Sequence, residues 1–319
     1  MSVIFLIISF ILSALLMKMM IPKLKELKFG QSIRQEGPES HLAKTGTPTM
    51  GGISFIAVTT VLSLIALIFV DDISKLLILI IVTLGFGLIG FIDDYIIVVK
   101  KDNTGLTSKQ KALAQVVVSI IVFFIMMKFV PSIELGVSIP GTDFTIHLGY
   151  LFVLWIVFWL VGFSNAVNLT DGLDGLSTST TIVANLSFLI IAWMSSENEI
   201  VIFLAILIGA QLGFLIFNKY PAKVFMGDTG SLALGGIVGI VSIMLNNSLL
   251  LLLVGIVFVV ETASVIIQVI SFKTTGKRIF KMTPIHHHFE LSGWNEKKIV
   301  AVFSLVGAIA GVLGVLIGG

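Results

Sequence analysis

Three short glycine-rich islands hold carboxylates at the ends of apolar runs. They read Phe91-Ile-Asp93-Asp94-Tyr95, Asn168-Leu-Thr-Asp171-Gly-Leu-Asp174-Gly175 and Phe225-Met-Gly-Asp228-Thr-Gly-Ser231. The chain is 56% hydrophobic and only 12% charged. In such a chain, carboxylates gathered at span ends point to a site. Five of them would repel one another and any anion, so they need a cation. A hard divalent metal that bridges a polyanionic substrate uses them all.

Each island also has a plainer reading. Adjacent helical residues point about 100° apart, so Asp93 and Asp94 cannot share one task. One can face a metal while the other faces a basic partner or substrate; the plainer reading is a helix end stopped by solvated charge, which is how Asp71-Asp72 is read. Asp171 and Asp174 precede a helix expected from Leu176, where free N–H groups favour anions, and alone they fit an Asx-turn cap. Asp228 also opens a helix. Its loop carries Asn218, Lys219, Lys223 and Phe225, an amide and an aromatic suited to a base and amines suited to phosphates. Thr283-Pro-Ile-His286-His287-His288-Phe289-Glu290 does not match the i, i+4 spacing of a helical zinc pair. Imidazoles beside phosphates serve as donors or proton carriers. Their loop is expected to reach over the site from the side away from Asp171 and Asp174. Lys44-Thr-Gly46-Thr-Pro48-Thr-Met-Gly51-Gly52 is not a Walker A sequence but fits contacts to an anion. Lys111 falls in the same layer.

The elements that must position these residues are membrane spans. A helix needs about 20 apolar residues to cross the hydrocarbon core. Ten runs of that kind lie near 2–21, 52–70, 74–92, 112–130, 148–166, 176–194, 199–217, 231–246, 249–272 and 299–317 of the 319 residues. They leave no room for a soluble domain, so residues 1–319 are expected to form a single integral-membrane domain. The first run has no basic residues before it and reads as a transmembrane helix, not a signal peptide. The chain has no Cys, which removes disulfides and thiol chemistry. With the N-terminus outside, the inside loops 22–51, 93–111, 167–175, 218–230 and 273–298 hold 17 of the 20 Lys and Arg. That bias places both termini outside and every aspartate island in the cytoplasm. Alternation at Ile133, Leu135, Val137 and Ile139, a Pro140-Gly141-Thr142-Asp143 turn, and Phe144, Ile146 and Leu148 predict a small outer β-hairpin near 133–148. The expected fold class is therefore an all-α polytopic membrane protein with ten transmembrane helices and that hairpin.

In order along the chain, the Lys44–Gly52 loop, the Asp93-Asp94 pair, Asn168–Leu176, Phe225–Ser231 and Pro284-Ile-His-His-His-Phe-Glu-Leu291 resemble the phospho-N-acetylmuramoyl-pentapeptide transferase family. The Asp-Asp and Asp-Gly motifs are similar across the wider polyprenyl-phosphate N-acetylhexosamine-1-phosphate transferase superfamily. The His triplet with Phe-Glu-Leu and Trp294 points to the muramoyl branch. The resemblance implies a Mg²⁺-dependent enzyme of the bacterial plasma membrane, active on its cytoplasmic side. It would convert UDP-N-acetylmuramoyl-pentapeptide and undecaprenyl phosphate to lipid I and UMP. It implies a homodimer in the lipid bilayer, with no role for nucleic acid. Carried over residue by residue, Asp93, Asp94, Asp228 and His286 match the catalytic set, with Asp228 at the metal. Asp171, Asp174, Asn218 and Phe225 match the uridine-side pocket, Lys44 and Lys111 match substrate-contacting lysines, and Asn168, His287 and His288 match further substrate-binding positions. The family has a kinked ninth helix beside a lipid groove; here Glu261 lies near the middle of that span. A mid-span carboxylate is costly and is usually functional or paired, so both a helix–helix contact and a groove role fit.

Two routes fit the chemistry. The lipid phosphate, with a second pKa near ~6, can attack the β-phosphorus directly, with Asp93 or Asp94 orienting it. A phosphoryl-aspartate intermediate is the rival. Two other functions are weighed against this one. A related transferase using a UDP-N-acetylhexosamine without peptide is disfavoured by the His triplet. A secondary transporter would place ionisable groups near the midplane and often shows inverted repeats; only Glu261 lies deep, and the two halves share no motif.

Overall fold

Apolar sequence of span length becomes helix because lipid offers no partner for backbone N–H and C=O groups. The computed structural model describes residues 1–26, 44, 46–100, 105–130 and 133–319. Ten helices among them are long and apolar enough to cross a membrane. The helices are α1 (Ser2–Glu26), α2 (Gly52–Ala66), α3 (Ser74–Val99), α4 (Ser108–Phe129), α5 (Phe152–Thr170), α6 (Leu176–Met194), α7 (Asn198–Asn218), α8 (Gly227–Met244), α9 (Leu251–Val254), α10 (Ile256–Thr275), α11 (Ile285–Glu290) and α12 (Glu296–Gly318). The hairpin forms where the alternation placed it. Strand β1 (Gly136–Ser138) pairs antiparallel with β2 (Thr145–His147), with Val137 opposite Ile146.

Two helices make the centre. The apolar window of α8 is 89% buried, against 22% for α1 and α10. Helix α8 packs on α3 and α5, and α7 packs on α1, α2 and α6. Apolar side chains gain little by leaving lipid for protein, so close backbone approach has to hold the bundle together. Glycines supply it. A Cβ on Gly90 of α3 would overlap the Asp228 carbonyl of α8, and one on Gly235 of α8 would overlap the Phe163 carbonyl of α5. Helix α2 meets α8 through Gly52 and Gly230 in the same way.

Two boundaries differ from the apolar runs. Helix α3 does not stop at Asp93 but continues through Val99. Both carboxylates therefore sit inside a helix, where adjacent residues face different neighbours. The run at 249–272 is broken in two. A 3₁₀ turn at Ser248–Leu250 and α9 end at Gly255, whose φ of −96° and ψ of 25° depart from helical values, before α10 begins. Gly tolerates that conformation at little cost, and the span kinks there as the family resemblance implies.

Candidate functional site

The helix ends that converge opposite the hairpin carry the acidic islands. Helix α8 begins at Gly227, whose φ of +75° lets the chain turn sharply into the helix. Its first N–H groups lie inside protein and need acceptors. Asp94 supplies them from α3. Its Oδ1 accepts from the Asp228 N–H at 3.1 Å, and its Oδ2 accepts from the Thr229 N–H at 2.9 Å and the Thr229 hydroxyl at 2.6 Å. Asp94 thus caps a helix to which it does not belong, and it is 5% exposed.

Asp93, about 100° around α3, faces elsewhere. Its Oδ1 accepts from the Leu106 N–H at 2.7 Å and its Oδ2 lies 3.1 Å from Lys111 Nζ. Lys111 is placed in the first turn of α4 by a capping box between Thr107 and Gln110. The same ammonium lies 2.5 Å from Asp228 Oδ2, and Asn168 donates to Asp228 Oδ1 at 2.8 Å. Asn168 also donates to Ser231 Oγ at 2.9 Å. One lysine therefore bridges carboxylates from α3 and α8, and α5 adds an amide.

Among the described residues, Asp171 has no such partner. Burial first, and then the negative charges of Asp228, Asp94 and Asp174, push its carboxyl well above the usual carboxylate range. Acidity is concentrated here beyond what the chain's own cations offset. Among the described residues, no three His, Cys, Asp or Glu side chains form a preformed metal cage. Mg²⁺ does not ask for one. It takes one or two carboxylates and completes its shell with substrate phosphates and water. Asp228 and Asp93, hard oxygen donors that already share one cation, fit that habit.

Asp174 and Asn218 are held inside the protein. Asp174 Oδ1 lies 2.6 Å from Lys44 Nζ and its Oδ2 accepts from the Ala222 N–H at 2.8 Å. Lys44 also lies 2.6 Å from Glu296 Oε1, and that oxygen accepts from the Asp174 N–H. The two carboxylates raise the Lys44 pKa although burial works against them. Asn218 accepts from the Thr178 hydroxyl at 2.6 Å and donates to the Val224 carbonyl at 3.1 Å. It shapes the 219–225 loop from beneath. Partly exposed Phe225 is pinned through its backbone, donating to the Pro48 carbonyl and accepting from the Gly51 N–H. The Pro48–Gly52 segment thus lies along Phe225–Met226, at the opening of α8.

The His triplet lies on α11, and its members part company. His286 is fully buried, with Nδ1 3.0 Å from Glu261 Oε2 on α10. His287 Nδ1 lies 2.7 Å from Glu290, and His288 Nδ1 accepts from the Lys281 N–H at 3.2 Å. A Cβ on Gly172 would overlap His286 Nε2. His286 therefore meets the Asp171–Asp174 loop directly, and the expectation that the triplet approaches from the opposite side is corrected. Glu261 is paired with His286, which in turn meets the Asp171–Asp174 loop.

Thr229 and Glu296 take part without having stood out in the sequence. Thr229 lies within the Phe225–Ser231 motif, where its position marks it only as a possible cap of α8. Glu296 follows Trp294-Asn295 and looks like an ordinary first-turn acid, a favourable partner for a helix N-terminus. Only the fold brings it to Lys44.

Known proteins resemble this chain along nearly its whole length. The family model for glycosyl transferase family 4 matches residues 76–246. The phospho-N-acetylmuramoyl-pentapeptide-transferase of Staphylococcus carnosus is 58% identical over 314 residues, 98% of both chains. That of Staphylococcus saprophyticus is 57% identical over 313 residues, again 98% of both. That of Staphylococcus aureus is 56% identical over 312 residues, 98% of this chain and 97% of the relative. At that identity over nearly the whole length, the chain belongs to the phospho-N-acetylmuramoyl-pentapeptide transferase family.

Proposed function

We propose that the protein transfers phospho-N-acetylmuramoyl-pentapeptide from UDP-N-acetylmuramoyl-pentapeptide to undecaprenyl phosphate at the cytoplasmic face of the membrane, releasing UMP and leaving lipid I in the bilayer. The observation that carries this reading is the Asp93–Lys111–Asp228–Asn168 cluster at converging helix ends. An oxygen of the lipid phosphate forms a bond to the sugar-linked phosphorus. The bond from that phosphorus to the bridging oxygen breaks, and UMP leaves with the electron pair.

The lipid phosphate is already mostly dianionic near neutral pH, so the reaction needs charge compensation more than a strong base. Lys111 lies where it can pair with a transferring phosphoryl oxygen. Asp93 and Asn168 hold Lys111 and Asp228 in register. Asp94 positions the start of α8. Both oxygens of Asp93, Asp94 and Asp228 accept hydrogen bonds or ion pairs. Carboxylates so occupied are poor nucleophiles, which supports direct attack over a phosphoryl-aspartate. Asp228 and Asp93 would hold Mg²⁺, which when bound neutralises charge on the diphosphate as UMP departs. On the far side of the Asp171–Asp174 loop, Phe225 and the Lys44 segment would receive the uridine end. The exposed apolar residues of α10, Ile266, Ile267, Val269, Ile270 and Phe272, would guide the polyprenyl chain.

Release of UMP by purified protein supplied with both substrates tests the assignment. Turnover should vanish in excess EDTA, return with Mg²⁺, and be lost in a folded Asp228→Asn variant. Near-normal turnover in EDTA would remove the metal from the reading. Use of UDP-N-acetylglucosamine in place of the peptide substrate would move the protein to another branch.

A further inference from the structure

His286 and Glu261 form a buried pair with an unpaired atom at each end. Glu261 Oε2 lies 3.0 Å from His286 Nδ1, and both side chains are fully buried. Among the described residues, Glu261 Oε1 and His286 Nε2 have no hydrogen-bond partner. Buried polar atoms are nearly always satisfied, and the exceptions call for an explanation. The two orphans differ in surroundings. Oε1 belongs to a carboxylate whose other oxygen is used. Nε2 is the one free position of an imidazole, and it faces Gly172, between Asp171 and Leu173.

An ionised carboxylate only accepts hydrogen bonds. Held against Nδ1, it keeps a proton on that nitrogen and fixes which edge of the ring turns outward. Gly172 is the complementary half of the arrangement. Any Cβ there would overlap Nε2, so a side chain would push the ring away or force the loop apart. Neither Glu261 nor Gly172 touches the Asp93–Lys111–Asp228 cluster, and neither has a role in the reaction described above.

We propose that Glu261 is a positioning residue for His286: it fixes the proton on Nδ1 and aims Nε2 at the Asp171–Asp174 loop, where the diphosphate must part Gly172 from the ring to reach it. The proposal rests on His286 serving the transfer reaction. Its main effect is on turnover.

Turnover, UMP affinity, thermal midpoint and a histidine NMR signal, read on variants of Glu261 and His286, decide it. Glu261→Met keeps the volume and removes the acceptor. Turnover should fall about 10- to 100-fold, the usual cost of losing the carboxylate that orients a functional histidine. UMP affinity by titration should stay unchanged, while the thermal midpoint in detergent should fall, since removing one partner of a buried pair leaves the other unsatisfied. Glu261→Gln keeps one oxygen acceptor and should fall between wild type and Glu261→Met. In protein labelled with ¹⁵N-histidine, the wild type should show a ring protonated at Nδ1 that Glu261→Met loses. In a His286→Ala background, Glu261→Met should cost nothing further. Loss of UMP affinity along with turnover in a folded Glu261→Gln protein would make the pair a structural tie and overturn the proposal. Unchanged turnover in Glu261→Met would overturn it too. Unchanged turnover in His286→Ala would instead remove the reading on which it rests.

Discussion

Asp93 and Asp94 are neighbours in sequence, and replacing each by asparagine should fail in a different way. Asp94 accepts three hydrogen bonds from the first turn of α8, at 3.1, 2.9 and 2.6 Å. Asparagine is isosteric but offers one oxygen and one NH₂ group. If the oxygen keeps Thr229, the NH₂ faces the Asp228 N–H, donor against donor. The remaining bonds also lose their charge assistance. A hydrogen bond to a charged group contributes about 1.5–3 kcal/mol, and loss of a helix cap costs about 0.5–2 kcal/mol. Asp94→Asn should therefore destabilise the protein by about 2 kcal/mol and lower its thermal midpoint by several degrees. Asp93→Asn keeps the Leu106 bond through its oxygen and leaves Lys111 paired with Asp228. The new NH₂ group would face the Lys111 ammonium, but that flexible side chain can turn wholly to Asp228, so the cost should stay below that of Asp94→Asn. Both variants should lose turnover. The assay is thermal unfolding in detergent beside UMP release, with wild type, Asp93→Asn and Asp94→Asn run in parallel. Equal midpoints for the two variants, or a lower one for Asp93→Asn, would refute the division of labour between capping and charge placement.

Two other outcomes can be stated briefly. The Asp171 carboxyl titrates well above its ordinary range in the folded protein, so the folded state binds more protons than the unfolded one, and stability falls as pH rises from the ordinary carboxylate range through the raised value. In metal-free protein Asp171→Asn should flatten that decline and raise the midpoint at neutral pH; an unchanged pH profile would mean that Asp171 is not held in uncompensated negative charge. The orientation follows from 17 of 20 basic residues lying in one set of loops. Single cysteines at exposed Asp143 and Lys109 should label from outside and inside the cell respectively, and the reverse pattern would overturn the cytoplasmic site.

Residue types and spacing were enough to find the spans, the hairpin and the candidate residues. Apolar runs in lipid have few alternatives to helix, and the period-two alternation at 133–148 has few alternatives to strands. The sequence did not disclose how neighbouring polar residues divide their work. Asp93 and Asp94 read as one motif, yet 100° of helical rotation sends one to a lysine and the other to a cap. Three consecutive histidines likewise go to Glu261, Glu290 and the Lys281 backbone. Glu296 gave no signal, because its partner Lys44 lies 252 residues away. The break at Gly255 was hidden in an unbroken apolar run, where a single Gly is compatible with either a straight or a kinked helix.

The opening of α8 explains why these residues had to meet. A helix N-terminus carries partial positive charge and unpaired N–H groups, and both favour anions. Asp94 occupies the N–H groups of Asp228 and Thr229, so a substrate phosphate cannot take that place. Asp228, one residue into the helix, then points away from the cap toward Lys111 and Asn168. The arrangement needs α3 to lie against α8 at backbone distance, which Gly90 permits and any larger residue would prevent. Close packing, capping and charge placement are thus one requirement. A substitution that widens the α3–α8 contact would uncap the helix and, in the same movement, separate the carboxylates that Lys111 bridges.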